Sequence, residues 1–394
     1  MIPSPLIALL FETSRGYGRD VALGIARYAR LHGPWTFHLT PPDNDEGISE
    51  LDCWDGNGVF ARVTNTELAD RLLAWNLPTV AFDLKNEQLR KGHPLSGFSN
   101  LCVDPVAPGR LCAAHLLERG YTEFGFVGAP GTVWSDHREM SFCQAIKEAG
   151  YRTRVYEPRS PNLFHGWMRE RPHLVNWIAN LPKPVGIMAC NDEHGLHVLD
   201  ACREARVQVP REVAVIGVDN DELLCELSDP PLSSVSLKAV EGGFEAAAWL
   251  NHLIGSKKNS SRVIQIDAIR VVTRRSTDYV ATDDERVAAA LALIRTQCKD
   301  LSPEAVAKQV NLPRRELDCR FRELLGRSVV AEIQRARLDQ AQQLLEETDY
   351  PIPKVREEAG YCSSSYMIQV FRRELATTPA KYRTKVRLNG GASE

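Results

Sequence analysis

Two stretches near the C-terminal end repeat one pattern: PEAVAKQVNLPRRELDCRFREL (303–324) and PIPKVREEAGYCSSSYMIQVFRREL (351–375). In each, a short helix places apolar residues three to four apart, Val306, Ala307 and Val310 in the first and Ile352, Val355 and Ala359 in the second. A turn follows (Asn311-Leu312-Pro313; Gly360-Tyr361-Cys362), and then a helix opening on basic or hydroxyl residues with one apolar face. Leu317 and Phe321 of the first copy recur as Met367 and Phe371, an offset of fifty residues. A short helix, a tight turn and a polar-fronted second helix make a helix-turn-helix, so the spacing predicts two such units, over 303–324 and 352–375. Between them, residues 329–347 lack Gly and Pro and set Ile333, Leu338, Ala341 and Leu345 on one helical face. A helix of about 20 residues spans roughly 30 Å. That is close to the ~34 Å between successive major-groove segments on one side of a duplex. The expected use is a single chain reaching two adjacent major-groove segments of double-stranded DNA.

Charge supports this locally rather than globally. The chain carries a formal net charge of −3, with 19 Lys+Arg against 17 Asp+Glu from 281 to 394 and 29 against 34 in the rest. Arg314, Arg315, Arg320, Arg322 and Arg327 crowd the first unit, and Arg372, Arg373, Lys381, Arg383, Lys385 and Arg387 the second. Phosphate contacts supply much of DNA affinity, so clustering matters more than the total. Arg314, Arg315, Asp318 and Cys319 are the expected base-facing positions of the first reading helix, and Ser364, Ser365, Ile368 and Gln369 those of the second. Arg can hold guanine bidentately, Gln adenine, and an Ile face can meet a thymine methyl. Arg322, Arg327, Arg372 and Arg373 are expected on phosphate.

The first 280 residues alternate strand-like and helical runs. Apolar segments at 6–12, 35–40, 56–62, 78–83, 100–105, 124–129, 184–192, 213–220 and 233–237 are followed in most cases by amphipathic stretches. Such alternation predicts parallel sheets covered on both faces, and 280 residues exceed one core, so two α/β lobes with a cleft are expected. Ligands of open α/β sheets lie at the carboxyl ends of strands. Those ends carry Glu12, Asp83, Asp104, Asn191, Asp192, Asp219 and Asn220, with Tyr17, Trp134, His137 and Arg138 nearby. Carboxylates, an amide, an arginine and aromatic faces suit a neutral polyhydroxy ligand. Any one of the acids could instead cap a helix, as Asp and Asn do after a strand.

The tail resembles the AraC/XylS DNA-binding domain through Arg337, Leu338, Ala341, Leu344 and Leu345, the Gly360-Tyr361 pair, and Phe371, Leu375, Thr378, Pro379, Tyr382 and Arg383. It departs from that pattern at Arg356, Met367 and Ala376, and at Cys319 and Gln369, where base-reading arginines are common. The first part resembles the LacI/GalR sensor domain, a relative of periplasmic sugar-binding proteins. That likeness runs through Val103-Asp104, Gly109, Ala113, Leu116-Leu117, Gly120-Tyr121, Arg138, Phe142, Cys190-Asn191-Asp192 and Ile216 to Asn220. By position, Arg138, Asn191 and Asp219 fall on that family's ligand-contacting residues. The combination of such a sensor with an AraC-type tail, together with segments 215–235 and 270–279, resembles the regulators of xylose operons. The resemblance implies D-xylose or a related aldopentose as effector, a homodimer, an activator role and RNA polymerase as partner. The expected layout is thus a two-lobed sensor over 1–280 and an all-α DNA-binding part over 281–394.

Other classes are disfavoured. Gly16 and Gly18 after the first strand lack the third glycine of a dinucleotide loop. Cys190, Asp192, His194 and His197 have no distant partner pair of metal-ligand spacing. No GxSxG or HExxH motif occurs, so neither enzyme chemistry, cofactor nor metal is expected. Ten scattered cysteines without a CxxC pair, no long apolar span and no basic lead-in to the first apolar run make a cytoplasmic protein the expectation.

Overall fold

The computed structural model describes residues 4–40, 55–159, 163–256, 260–279, 284–375 and 377–390, with the side chains of 163–166, 346–347 and 385–390 left out. The chain divides into two compact units, Met1–His115 with Thr122–Asp278, and Leu116–Tyr121 with Tyr279–Glu394. The expected boundary at 280/281 and the departure at Ala376 both lie outside the described residues.

The first unit contains two parallel-sheet lobes. One is built from β1 (Leu6–Leu10), α1 (Gly16–His32), β2 (Thr36–Leu39), β3 (Gly58–Arg62), α2 (Thr66–Trp75), β4 (Thr79–Phe82) and β5 (Ser99–Val103). The chain then leaves for the other lobe through α3 (Ala107–Leu117), β6 (Glu123–Val127), α4 (Val133–Glu148), β7 (Thr153–Val155), α5 (Leu163–Asn180), β8 (Val185–Ala189), α6 (Asp192–Glu204), β9 (Val213–Asp219), α7 (Glu222–Leu227) and β10 (Ser233–Leu237). It returns through α8 (Ala239–Gly255), which packs along α1, and β11 (Val263–Ile266), and crosses once more into β12 (Ala268–Val272). The sheet orders are β11-β5-β4-β3-β1-β2 and β12-β10-β9-β8-β6-β7. Pairing is parallel throughout except for β12 on β10.

The central strands are apolar at almost every position because helices cover both faces; GVFAR, TVAF and VGIMA are buried nearly end to end. The expected strands and helices from 6 to 254 are present within a few residues. The sequence reading did not anticipate β7, α5, β11 or β12. Strand β7 has three residues, α5 carries Pro172 inside it, and β11 alternates between buried and exposed at a sheet edge. In α5, Pro172 interrupts a helical spacing that Trp167, Leu174 and Ile178 otherwise carry.

The second unit is helical: α9 (Glu285–Gln297), α10 (Pro303–Gln309), α11 (Arg314–Leu325), α12 (Val329–Glu347), α13 (Ile352–Glu358), α14 (Ser364–Leu375) and α15 (Pro379–Gly390). Each helix-turn-helix has its own small core. The first gathers Val306, Leu317 and Phe321 with Leu291 and Ile294 of α9; the second gathers Val355, Met367 and Phe371. Helix α12 feeds both, with Val329 and Ile333 in the first core and Leu338, Ala341 and Leu345 in the second. Between those two groups Arg337 donates to the carbonyls of Cys298 (2.8 Å), Leu301 (3.0 Å) and Lys299 (3.3 Å). The connector is therefore tied at its midpoint to the backbone just ahead of the first helix-turn-helix.

Candidate effector cleft and DNA interface

The cleft between the lobes of the first unit holds a space of about 370 Å³, counting its open mouth. Glu12, Arg15, Tyr17, Gly18, Arg62, Asp83, Val103, Trp134, Arg138, Asn191 and Asp219 line it. Most come from strand ends or the first turns after them, where a parallel sheet lets the chain open outward. Gly18 belongs there for packing: a Cβ on it would lie 1.9 Å from the carbonyl oxygen of Glu12.

The two lobes contribute matching halves. In the first, Arg62 at the end of β3 donates to Asp83 just past β4 at 2.5 Å and to Glu12 at 3.2 Å, and its guanidinium lies 5.9 Å from the Tyr17 ring. In the second, Arg138 donates to Asp219 at the end of β9 at 2.8 Å and to the carbonyl of Cys190 at 2.5 Å. Its guanidinium lies 5.3 Å from the Trp134 ring. Asp83 and Asp219 both have positive φ, 51° and 104°. Left-handed backbone costs a non-glycine residue roughly 1–2 kcal/mol, so each carboxylate is aimed at some expense to local stability.

Electrostatics keep these arginines charged. Burial works against both guanidinium ions, yet Asp83 and Glu12 raise the pKa of Arg62, and Asp219 raises that of Arg138. Burial, reinforced by Asp83, pushes the Tyr17 hydroxyl far above its ordinary range, so it remains a neutral donor. The Tyr17 hydroxyl and Arg138 Nε are buried without a hydrogen-bond partner among the described residues. Leaving such groups unpaired costs about 1–3 kcal/mol each. Asn191 caps α6: its Oδ1 accepts from the His194 amide at 2.9 Å and lies 2.7 Å from His194 Nδ1.

Of the ten ligand-contact residues expected from sequence, the cleft is lined by Glu12, Tyr17, Asp83, Trp134, Arg138, Asn191 and Asp219. Three stand elsewhere. Asp192 is fully buried below the cleft, where its carboxylate accepts from Ser234 Oγ (2.5 Å) and the Asp221 amide (2.7 Å). Burial and the nearby Asp219 push its pKa up to about 8. Asn220 is drawn away by Arg274, which donates to its Oδ1 at 2.9 Å, and His137 sits on α4 outside the lining. Asp104 accepts from the amides of Val106 and Ala107 and so caps α3, the alternative role open to it from sequence. Arg15, Gly18, Arg62 and Val103 were not anticipated. Arg62 was legible, because it ends an apolar strand like the acids that were singled out.

On the tail, the duplication extends to the surface. Arg315, Cys319 and Arg322 form an exposed stripe along α11, and Ser365, Gln369 and Arg372 form its counterpart on α14, each fifty residues later. Arg315, Arg322 and Arg372 make no ion pair among the described residues. The other arginines are engaged: Arg314 with Glu304, Arg320 with Asp284 and Glu316, Arg327 with Glu332, and Arg373 with Glu374. Asp318 is structural, since its carboxylate accepts from the Val329 amide at 3.0 Å and so receives the start of α12. Ser364 and Ile368 are half-buried beside their stripe.

Comparison with known proteins agrees with this construction. Residues 113–277 match the periplasmic binding protein-like domain, and residues 306–385 match a helix-turn-helix domain. The chain is 31% identical over 384 residues to the xylose operon regulatory protein of Escherichia coli strain K12, covering 96% of both chains. It is 30% identical over 385 residues to that of Haemophilus influenzae, covering 96% of this chain and 97% of the relative. A solved structure described as the xylose-binding transcription activator xylR superposes with a TM-score of 0.61 at 30% identity, covering 98% of this chain and 99% of that one. No described helix is long and apolar enough to cross a membrane. A two-lobed sensor fold joined to a duplicated helix-turn-helix, matched along nearly the whole chain, makes this a DNA-binding transcription regulator that belongs to the xylose operon regulatory protein family.

Proposed function

We propose that the chain is a cytoplasmic transcription activator that senses D-xylose, or a closely related aldopentose, in the cleft of its first unit. The observation that carries this reading is the charge balance of the cleft. Its lining holds three carboxylates, Glu12, Asp83 and Asp219, and three guanidinium groups, Arg15, Arg62 and Arg138. A sugar phosphate would need an excess of positive charge, whereas a neutral sugar can donate hydroxyls to the carboxylates and accept from the arginines and Asn191. Tyr17 and Trp134 supply ring faces for the apolar side of a pyranose, and the unpaired Tyr17 hydroxyl and Arg138 Nε gain partners from it. The names of the relatives and of the matched structure favour xylose among neutral sugars.

The effector contacts are then Glu12, Arg15, Tyr17, Arg62, Asp83, Trp134, Arg138, Asn191 and Asp219, with Asp192 a buried support for the loop after β9. In the tail, Arg315 and Gln369 are the leading base readers, with Ser365 and Cys319 beside them, and Arg322 and Arg372 bind phosphate. Sensing is assigned to 1–280 and DNA binding to 281–394. The active form is a homodimer that sets four helix-turn-helix units along repeated half-sites and recruits RNA polymerase, with cleft closure shifting its affinity for DNA. Calorimetry with D-xylose, L-arabinose, D-ribose, D-glucose and xylose 5-phosphate tests the reading. Saturable heat with D-xylose and none with the phosphate is expected; preference for the phosphate would overturn it.

A further inference from the structure

Helix α1 begins without a cap of its own. Arg15 stands at its N-cap with no side-chain capping bond, and its first turn contains no acidic residue. The free amides of a helix start need an acceptor, and a carboxylate there also meets the positive end of the helix dipole. The acceptor comes from the opposite lobe: the Gly16 amide donates to Asp221 Oδ2 at 2.8 Å, in a buried contact between residues 205 positions apart in sequence. Arg19, one turn further along α1, donates to the same oxygen at 2.7 Å.

Asp221 has been diverted to this task. It stands at the N-cap of its own helix, α7, yet makes no side-chain cap there. Its backbone is held by its amide, which donates to Asp192 at 2.7 Å, and its side chain is only 4% exposed. Gly16 leaves room for it, since a Cβ at that position would sit 2.8 Å from Asp221 Cβ. A second bridge, Arg15 to Glu193 of α6 at 3.0 Å, spans the lobes beside it. Neither Asp221, Arg19 nor Glu193 lines the cleft.

We infer that Asp221 is a closure latch, a positioning residue that caps α1 across the cleft and sets how long the effector stays bound without touching it. The inference rests on the sugar-sensing reading. The cap exists only while the lobes are together, so losing it speeds release and leaves encounter alone.

Stopped-flow binding of D-xylose to full-length protein, followed by tryptophan fluorescence, tests the latch in three variants. Asp221→Ala should raise the dissociation rate tenfold or more with the association rate unchanged. Arg19→Ala, at a partly exposed position that folding tolerates, should raise it a fewfold. Gly16→Ala is the sharpest case: alanine favours a helix more than glycine does, so faster release there reflects obstructed closure rather than a weakened α1. Unchanged release in Arg19→Ala and Gly16→Ala, with normal binding by the parent protein, overturns the latch alone. A slower association rate with unchanged release also overturns it, because the residues would then act on the open cleft. Failure of the parent protein to bind any neutral sugar removes the sugar reading, and the latch with it.

Discussion

The two units use arginine in opposite ways. In the cleft, Arg62 is half-buried and Arg138 buried, both are held by carboxylates, and each guanidinium lies over an aromatic ring. On the tail, Arg315, Arg322 and Arg372 are exposed and have no carboxylate against them among the described residues. A neutral ligand calls for the first arrangement, because paired charges offer directed donors and acceptors without a net field. A polyanion calls for the second, because each unpaired guanidinium can displace a counterion. The same side chain thus reports the charge of its partner through what surrounds it. The pairing of Arg314, Arg320, Arg327 and Arg373 with nearby acids also explains a mild overall charge in a DNA-binding protein.

The largest effect that sharpens this contrast is expected at Asp219. Asp219→Ala leaves Arg138 buried and uncompensated, a change of about 3–5 kcal/mol at such pairs. Calorimetry should show at least hundredfold weaker D-xylose binding, while a sugar-free gel shift stays near the parent value; equal loss in both would collapse the distinction between the units. Next comes Arg315→Ala, expected to weaken operator binding by about 1–3 kcal/mol and to relax one base position. Its sugar affinity should match the parent, and a parallel drop would break the comparison from the other side. Arg372→Ala should act more evenly across DNA sequences, lowering the slope of log K against log salt by about one.

Acid stability should separate the units more gently. Burial lowers the pKa of His194 from 6.5 to about 3 and of His197 from 6.5 to about 4, with His197 adding to the effect on His194. Below pH 6.5 the unfolded chain binds protons at these two histidines that the folded sensor refuses. The raised Asp192 instead holds a proton that the unfolded chain releases, so the two effects oppose each other in the sensor. In the tail, hydrogen bonds from Lys354 and Lys299 hold Glu358 at about 2, below its usual 4.5. That contribution is present above pH 4.5 and is lost as pH falls toward 2. Hydrogen exchange as pH falls from 4.5 toward 2 should therefore show the tail amides near Glu358 opening more easily, an effect that Glu358→Gln removes. The same pH dependence in that variant would mean that the two lysines do not set it.

Much of the molecule follows from sequence because its signals are local. The fifty-residue repeat, the uninterrupted 329–347 and the apolar strands each lie within one window of chain, and the matching helices and strands are present. Strand-end position was enough to place Asp83 and Asp219 in the cleft lining, since the opening of a parallel sheet is a property of each strand taken singly. Tertiary structure alone decided the rest. Asp192, Asn191 and Asn220 all follow strands, but only the meeting of Asp192 with Ser234, and of Asn220 with Arg274, turns those two from the cleft. Strands β11 and β12 lie at the edges of their sheets, lack the near-continuous burial of a central strand, and gain their place from the sheets they join. Asp221 shows the limit most plainly: its sequence position marks it as the cap of α7, and its use as the cap of α1 depends on a neighbour 205 residues away. Local periodicity fixes which segments become elements, whereas hydrogen-bond satisfaction across a closed cleft depends on where distant segments come to lie.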